Sequence, residues 1–269
     1  MAARIVVNLC YLLAMVARAW FILRPMEPER QPESTRGPLG RWLDDPLTRL
    51  VLVLVLATAV SCLLVALRAA YSGRATYNFL YWNLFLACIP VAAAYGTIVV
   101  WRRTKRRWLA ALAAVIWLAF FPNAPYIITD LMHLRSTRGA PLWMDLLMVS
   151  TSAWTGLLLG LGSLALMHRL WLDSGRSARW GWFLTAVASV AAGFGVYLGR
   201  FLRWNSWDLV TRPVDLLHEA FVHFGGPRIF AFSLAFGLVM WVAYLALHGI
   251  ARPFARSNWT ASDGTSREP

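Results

Sequence analysis

The chain has 269 residues, 59% of them hydrophobic and 14% charged, with a mean hydropathy of +0.54. Soluble domains are roughly 45–50% apolar and about 25% charged, so this composition excludes an ordinary soluble enzyme or binding module. It predicts an all-α fold, a polytopic transmembrane helical bundle. The net charge of +13 does not point to nucleic acid, because the basic residues sit in short connections between apolar runs and form no separate basic domain.

Residues 1–45 comprise a hydrophobic segment over about 5–23 and a polar linker rich in Pro, Glu and Arg. Asn8 and Arg18 interrupt that first run, so it is either a seventh span or an interfacial helix. Residues 46–252 form the transmembrane domain. Its spans are expected at about 48–70, 78–101, 108–130, 142–168, 181–200 and 228–250, each near the ~20 residues that cross a hydrocarbon core of about 30 Å. The bundle therefore has six or seven spans. A short amphipathic interfacial helix is expected near 213–224, with Leu216, Leu217, Ala220, Phe221 and Phe224 on one face. Residues 253–269 are polar and read as a disordered cytoplasmic tail.

Small residues mark packing faces. Ser152, Gly156, Gly160 and Ser163 recur at helical spacing in the fifth span, and Ala191, Gly195 and Gly199 in the sixth, so both are expected to pack closely in the core. Cys10, Cys62 and Cys88 all lie in apolar runs and are odd in number, which gives neither a disulfide framework nor a cysteine metal site. His218 and His223 are five apart, not the four that brings zinc ligands together on a helix, so no metal and no other cofactor is expected.

The most informative stretch runs from Phe121 to His133, FPNAPYIITDLMH. Pro122 and Pro125 lack N–H groups, so the carbonyls of Leu118 and Phe121 lose their helical donors, and the Asn123 amide, a neighbouring helix or water must serve instead. On an α-helix Asn123, Tyr126, Asp130 and His133 would share one face. Polar groups inside a membrane are costly and point to a functional site.

Charge orients the spans. With the 102–107 loop in the cytoplasm, seventeen of the 26 basic residues fall on that side and nine on the other, the usual positive-inside bias. The C-terminus is then cytoplasmic, and Asn83, the Asn123–His133 stripe, Asp145, Arg200, Arg203, Asn205 and Asp208 all collect at the external face. These are the candidate ligand-binding residues. Arg200 and Arg203 are candidate partners for Asp130, Asp145 or Asp208, since the guanidinium fork suits a carboxylate or a phosphate. Asn205 and Asp208 carry the spacing of an N-cap followed by an acid three residues on.

The motifs FPNAPYIITDL and GRFLRWNSWD, with the YWNLFLA segment at 81–87, resemble the signatures of the bacterial integral-membrane family called domain of unknown function 1361, over about residues 50–250. The resemblance implies a multi-pass protein of a bacterial plasma membrane and implies no activity. Three functions stay open: binding or transport of an anionic or lipid-like ligand at the polar layer, an enzyme on a lipid-linked substrate with Asp130 or His133 as base, and a non-catalytic assembly protein. Membrane lipids are the expected partners under each.

Overall fold

The computed structural model describes residues 46–134, 139–205, 208–224 and 226–260, and all of its regular structure is helical. In chain order the elements are α1 (Pro46–Ser72), α2 (Phe79–Thr104), α3 (Arg107–Phe120), a single turn α4 (Asn123–Tyr126), a 3₁₀ helix (Ile127–His133), α5 (Leu142–Asp173), α6 (Ala178–Phe201), the turn α7 (Asp208–Thr211), α8 (Pro213–Phe224) and α9 (Pro227–Thr260). The hydrophobic run at 5–23 and residues 261–269 lie outside the described residues. The last helix continues to Thr260, into the stretch read from the sequence as tail.

Six helical segments among the described residues are long and apolar enough to cross a membrane: Thr48–Ser72, Phe79–Thr104, Arg107–His133, Leu142–Asp173, Ala178–Phe201 and Pro227–Gly249. In a hydrocarbon core every backbone group must find its partner within the protein, which is why the apolar runs are helices. α1, α8 and α9 each begin with proline (Pro46, Pro213, Pro227), whose missing N–H costs nothing in a first turn. Long apolar side chains such as Leu56 and Leu63 on α1, Val115 on α3 and Val239 on α9 point outward, where lipid solvates them.

α5 is the central, most enclosed helix, packed by α1, α2, α4, the 3₁₀ segment and α6. Its small residues place it there. A Cβ on Gly156 would lie 2.5 Å from the Ala124 carbonyl oxygen, so only glycine lets the backbone at the proline break come this close. The Thr155 hydroxyl meets Ser61 of α1 at 2.8 Å, so the polar atoms on this face satisfy each other. α6 serves two neighbours: Gly193 abuts Ser233 of α9, and Gly195 leaves room for the Pro122 ring. Both expected small-residue faces are therefore packing faces, and together they clamp the break between α5 and α6.

α1, the 3₁₀ segment and α6 end at the same face of the bundle, where α2, α5 and α9 begin. The polar layer forms at this face. α8 lies beside it, and its expected apolar face is divided: Leu216 is buried against the cavity while Leu217 and Phe221 are exposed.

Candidate functional site

The site is built on the proline break. α3 stops at Phe120 because Pro122 cannot donate to Leu118 and Pro125 cannot donate to Phe121. The Ala124 N–H turns to the Phe121 carbonyl at 3.3 Å, and the Asn123 side-chain amide donates to the Phe120 carbonyl at 3.0 Å. The asparagine thus replaces a lost backbone donor, on the carbonyl one residue before the one vacated by Pro125.

Beyond the break the helix tightens. Residues 127–133 coil with three residues per turn, so Ile127, Asp130 and His133 come into line. The stripe expected of a continuous α-helix is split: Asp130 and Ile127 turn inward and are buried, while Asn123 and Tyr126 face a cavity.

Asp130, 1% exposed, is the hub. Asn83 of α2 donates its amide to Oδ2 at 2.7 Å, and Arg200 of α6 donates to Oδ1 at 2.5 Å. The Arg200 Nε bonds the Thr129 hydroxyl at 2.7 Å, and its guanidinium lies 4.5 Å from the centre of the Tyr126 ring. Three spans are pinned together by one carboxylate. His133 stands at the edge, its Nδ1 3.7 Å from Asp130 Oδ1, and its ring packs on Phe79. Each oxygen of Asp130 accepts one of these hydrogen bonds, which hold the carboxylate in place between α2 and α6.

Asp145 belongs to a separate pair. It accepts two bonds from Arg68 of α1, at 2.8 and 3.4 Å, and both side chains are 1% exposed. Arg68 also bonds Ser72 at 3.0 Å and lies over the Tyr77 ring. The Tyr77 hydroxyl in turn donates to the His133 carbonyl at 3.4 Å, which joins the two ion pairs into one layer.

Asp208 closes the far side. Its carboxylate accepts from the Asn205 backbone N–H at 2.8 Å and from Arg212 at 3.4 Å. That is the acid half of the expected cap, with the Asp208 N–H bonding the Asn205 carbonyl in return. The backbone N–H of Asn205, then Arg212, hold this carboxyl below its usual range. Arg203 turns to the surface in the left-handed region (φ 60°) and makes no ion pair among the described residues.

The acids therefore divide their partners: Asp130 takes Arg200, Asp145 takes Arg68 and Asp208 takes Arg212. Arg68, Thr129, Tyr77 and Trp204, whose indole N–H donates to Glu219, were not singled out by the sequence. A lone arginine near the end of an apolar run was the signal available for Arg68.

Between α2, α3, α4 and α6 lies a cavity of about 410 Å³. Asn83, Asn123, Tyr126, Trp204 and Asn205 line its polar end, while Leu118, Phe194 and Leu198 line the rest. Trp82 and Val115, both well exposed, also line it. Among the described residues no group of three or more His, Cys, Asp or Glu converges to hold a metal.

A family model described as "Protein of unknown function (DUF1361)" matches residues 82–243, more than half of the chain. The chain belongs to the DUF1361 family. No curated protein and no solved structure matches it. The DUF1361 match takes in Asn83, the proline break, α5, α6 and the Asn205–Asp208 turn, and it leaves α1 and Arg68 outside.

Proposed function

We propose that this protein binds, and carries or presents, a lipid-like ligand whose polar group rests against the amides of the polar layer. The observation that supports this reading is the cavity itself: amides and aromatic rings beside apolar walls, with two of its lining residues, Trp82 of α2 and Val115 of α3, exposed. Ligand sites are commonly apolar clefts with a few fixed polar groups of this kind.

The charges refine the ligand. Arg200 is neutralised by Asp130 and Arg68 by Asp145, so the buried cations are already matched. The cavity therefore offers hydrogen bonding in place of net positive charge, which favours a polar, uncharged or zwitterionic head over a free anion. The bias of basic residues to the opposite face supports an external polar layer and a cytoplasmic C-terminus.

A photoactivatable phospholipid carrying a diazirine near its headgroup tests the reading in reconstituted protein. Label is expected on peptides from 115–126 and 191–205. Label spread evenly over the exposed faces of α1 and α9 would remove the support for this site.

A further inference from the structure

A second cavity of about 390 Å³ lies at the opposite end of the bundle, between α2, α3, α5 and α6. Ala110 and Ala114 of α3, Leu164 of α5 and Leu184 and Ala188 of α6 make it apolar within. Its rim is cationic and aromatic: Arg107, Arg176, Trp101 and Trp171 stand around the mouth. The Arg176 guanidinium sits 4.5 Å over the Trp171 ring, and the Trp171 N–H is held by the Ser177 carbonyl at 3.1 Å, so the rim is organised.

The surrounding charge is one-sided. The connections at 102–107 and 169–179 carry eight basic residues and one acid, Asp173, which lies 3.9 Å from Arg169. Neither Arg107 nor Arg176 has a carboxylate partner among the described residues. An apolar slot under two unmatched guanidinium groups is complementary to one kind of molecule. We propose that this cavity is a binding site for an anionic phospholipid, with its phosphate between Arg107 and Arg176 and an acyl chain laid along α3.

The dimensions fit. From Arg107 to Leu118, the deepest α3 residue lining the cavity, the helix rises about 17 Å. Half a hydrocarbon core is about 15 Å, so the groove accepts a chain from a single leaflet. Arginine and a phosphate form paired charge-assisted hydrogen bonds, and basic residues beside a span attract anionic lipid by roughly 1 kcal/mol each. Val115 and Leu118 line both cavities, but this site uses none of the polar-layer groups and stands or falls separately.

Full-length protein in detergent is titrated with phosphatidylglycerol, phosphatidylcholine and inorganic phosphate, and bound lipid is counted by native mass spectrometry. Phosphatidylglycerol is expected to bind roughly tenfold or more tightly than phosphatidylcholine, the advantage two arginines supply. Arg107→Gln with Arg176→Gln is expected to abolish that preference. Ala114→Trp, at a half-buried wall position, is expected to block binding of both lipids at this site with the rim intact. Arg102→Gln with Arg103→Gln leaves the preference unchanged if the cavity is the site. Equal loss in that loop variant would show diffuse attraction instead. Displacement of lipid by inorganic phosphate would show a simple anion site, and tighter lipid binding after removal of residues 1–23 would show that the chain's own hydrophobic segment covers the groove. Any of these three results, or equal affinity for the two lipids, overturns the proposal.

Discussion

Replacing Arg68 by leucine is the sharpest test of how the polar layer is held. The substitution removes both donors to Asp145, at 2.8 and 3.4 Å, and leaves a carboxylate that is 1% exposed in the interior. Removing one partner from a buried ion pair costs about 3–5 kcal/mol, because the stranded charge keeps its desolvation penalty. For a chain of this size that corresponds to a fall of about 6–20 °C in the unfolding midpoint. Replacing both partners, Arg68→Leu with Asp145→Leu, removes the stranded charge as well. The double variant is expected to be at least about 2 kcal/mol more stable than the sum of the single effects predicts. The Cys62 and Cys88 thiols are buried, so a thiol-reactive dye reports unfolding on heating in detergent, with Cys10→Ser as background. A cost under about 1 kcal/mol for Arg68→Leu, or additivity in the double variant, would refute the pairing.

Further consequences concern the break and its neighbours. Gly156→Ala puts a Cβ 2.5 Å from the Ala124 carbonyl and is expected to cost about 1–3 kcal/mol, whereas Gly96→Ala meets nothing within 4 Å and should be neutral or slightly stabilising in the same dye assay. Asn123→Ala withdraws the donor to the Phe120 carbonyl and should cost about 1–3 kcal/mol, with Asn123→Asp no better because a carboxylate cannot donate. The Asp208 carboxyl titrates below its ordinary 3.8, so its contribution to the Asn205–Arg212 turn is complete above that value and is lost as pH falls through the lower, folded value. Hydrogen exchange at the Asn205 amide, corrected for its intrinsic rate, should speed up across that acid range and lose the dependence in Asp208→Asn; an unchanged profile in the variant would discount the bond.

The spans were legible because a hydrocarbon core imposes both a length and a helical backbone. The apolar runs read at 48–70 and 142–168 appear as Pro46–Ser72 and Leu142–Asp173. The polar layer was legible for a related reason, since Asn83, Asp130 and Arg200 stand out against greasy neighbours and alternate spans bring them to one face. The pairing was not. Whether Asp145 meets Arg200 or Arg68 depends on how α1 and α6 rotate about their axes, which is decided by contacts such as Ser61 with Thr155 that no single segment encodes. The change of period at Ile127 was hidden too. Two prolines announce a break, but the tight packing of Ala124 and Ile127 against Gly156 is a property of two helices together. Arg203 was read with Arg200 as a candidate partner for the acids; the helix ends between them, and the left-handed turn sends it to the surface.

The central claim is that the cavity beside the polar layer holds a lipid-like ligand, and the stoichiometry of retained lipid measures it directly. Native mass spectrometry of gently solubilised protein is compared for the parent, for Ala191→Trp, which fills the cavity wall, and for Val239→Trp, on an exposed face of α9. The account predicts that Ala191→Trp retains one lipid fewer than the parent and Val239→Trp, the lipid of the opposite cavity staying on all three. The same number of retained lipids on all three would contradict it.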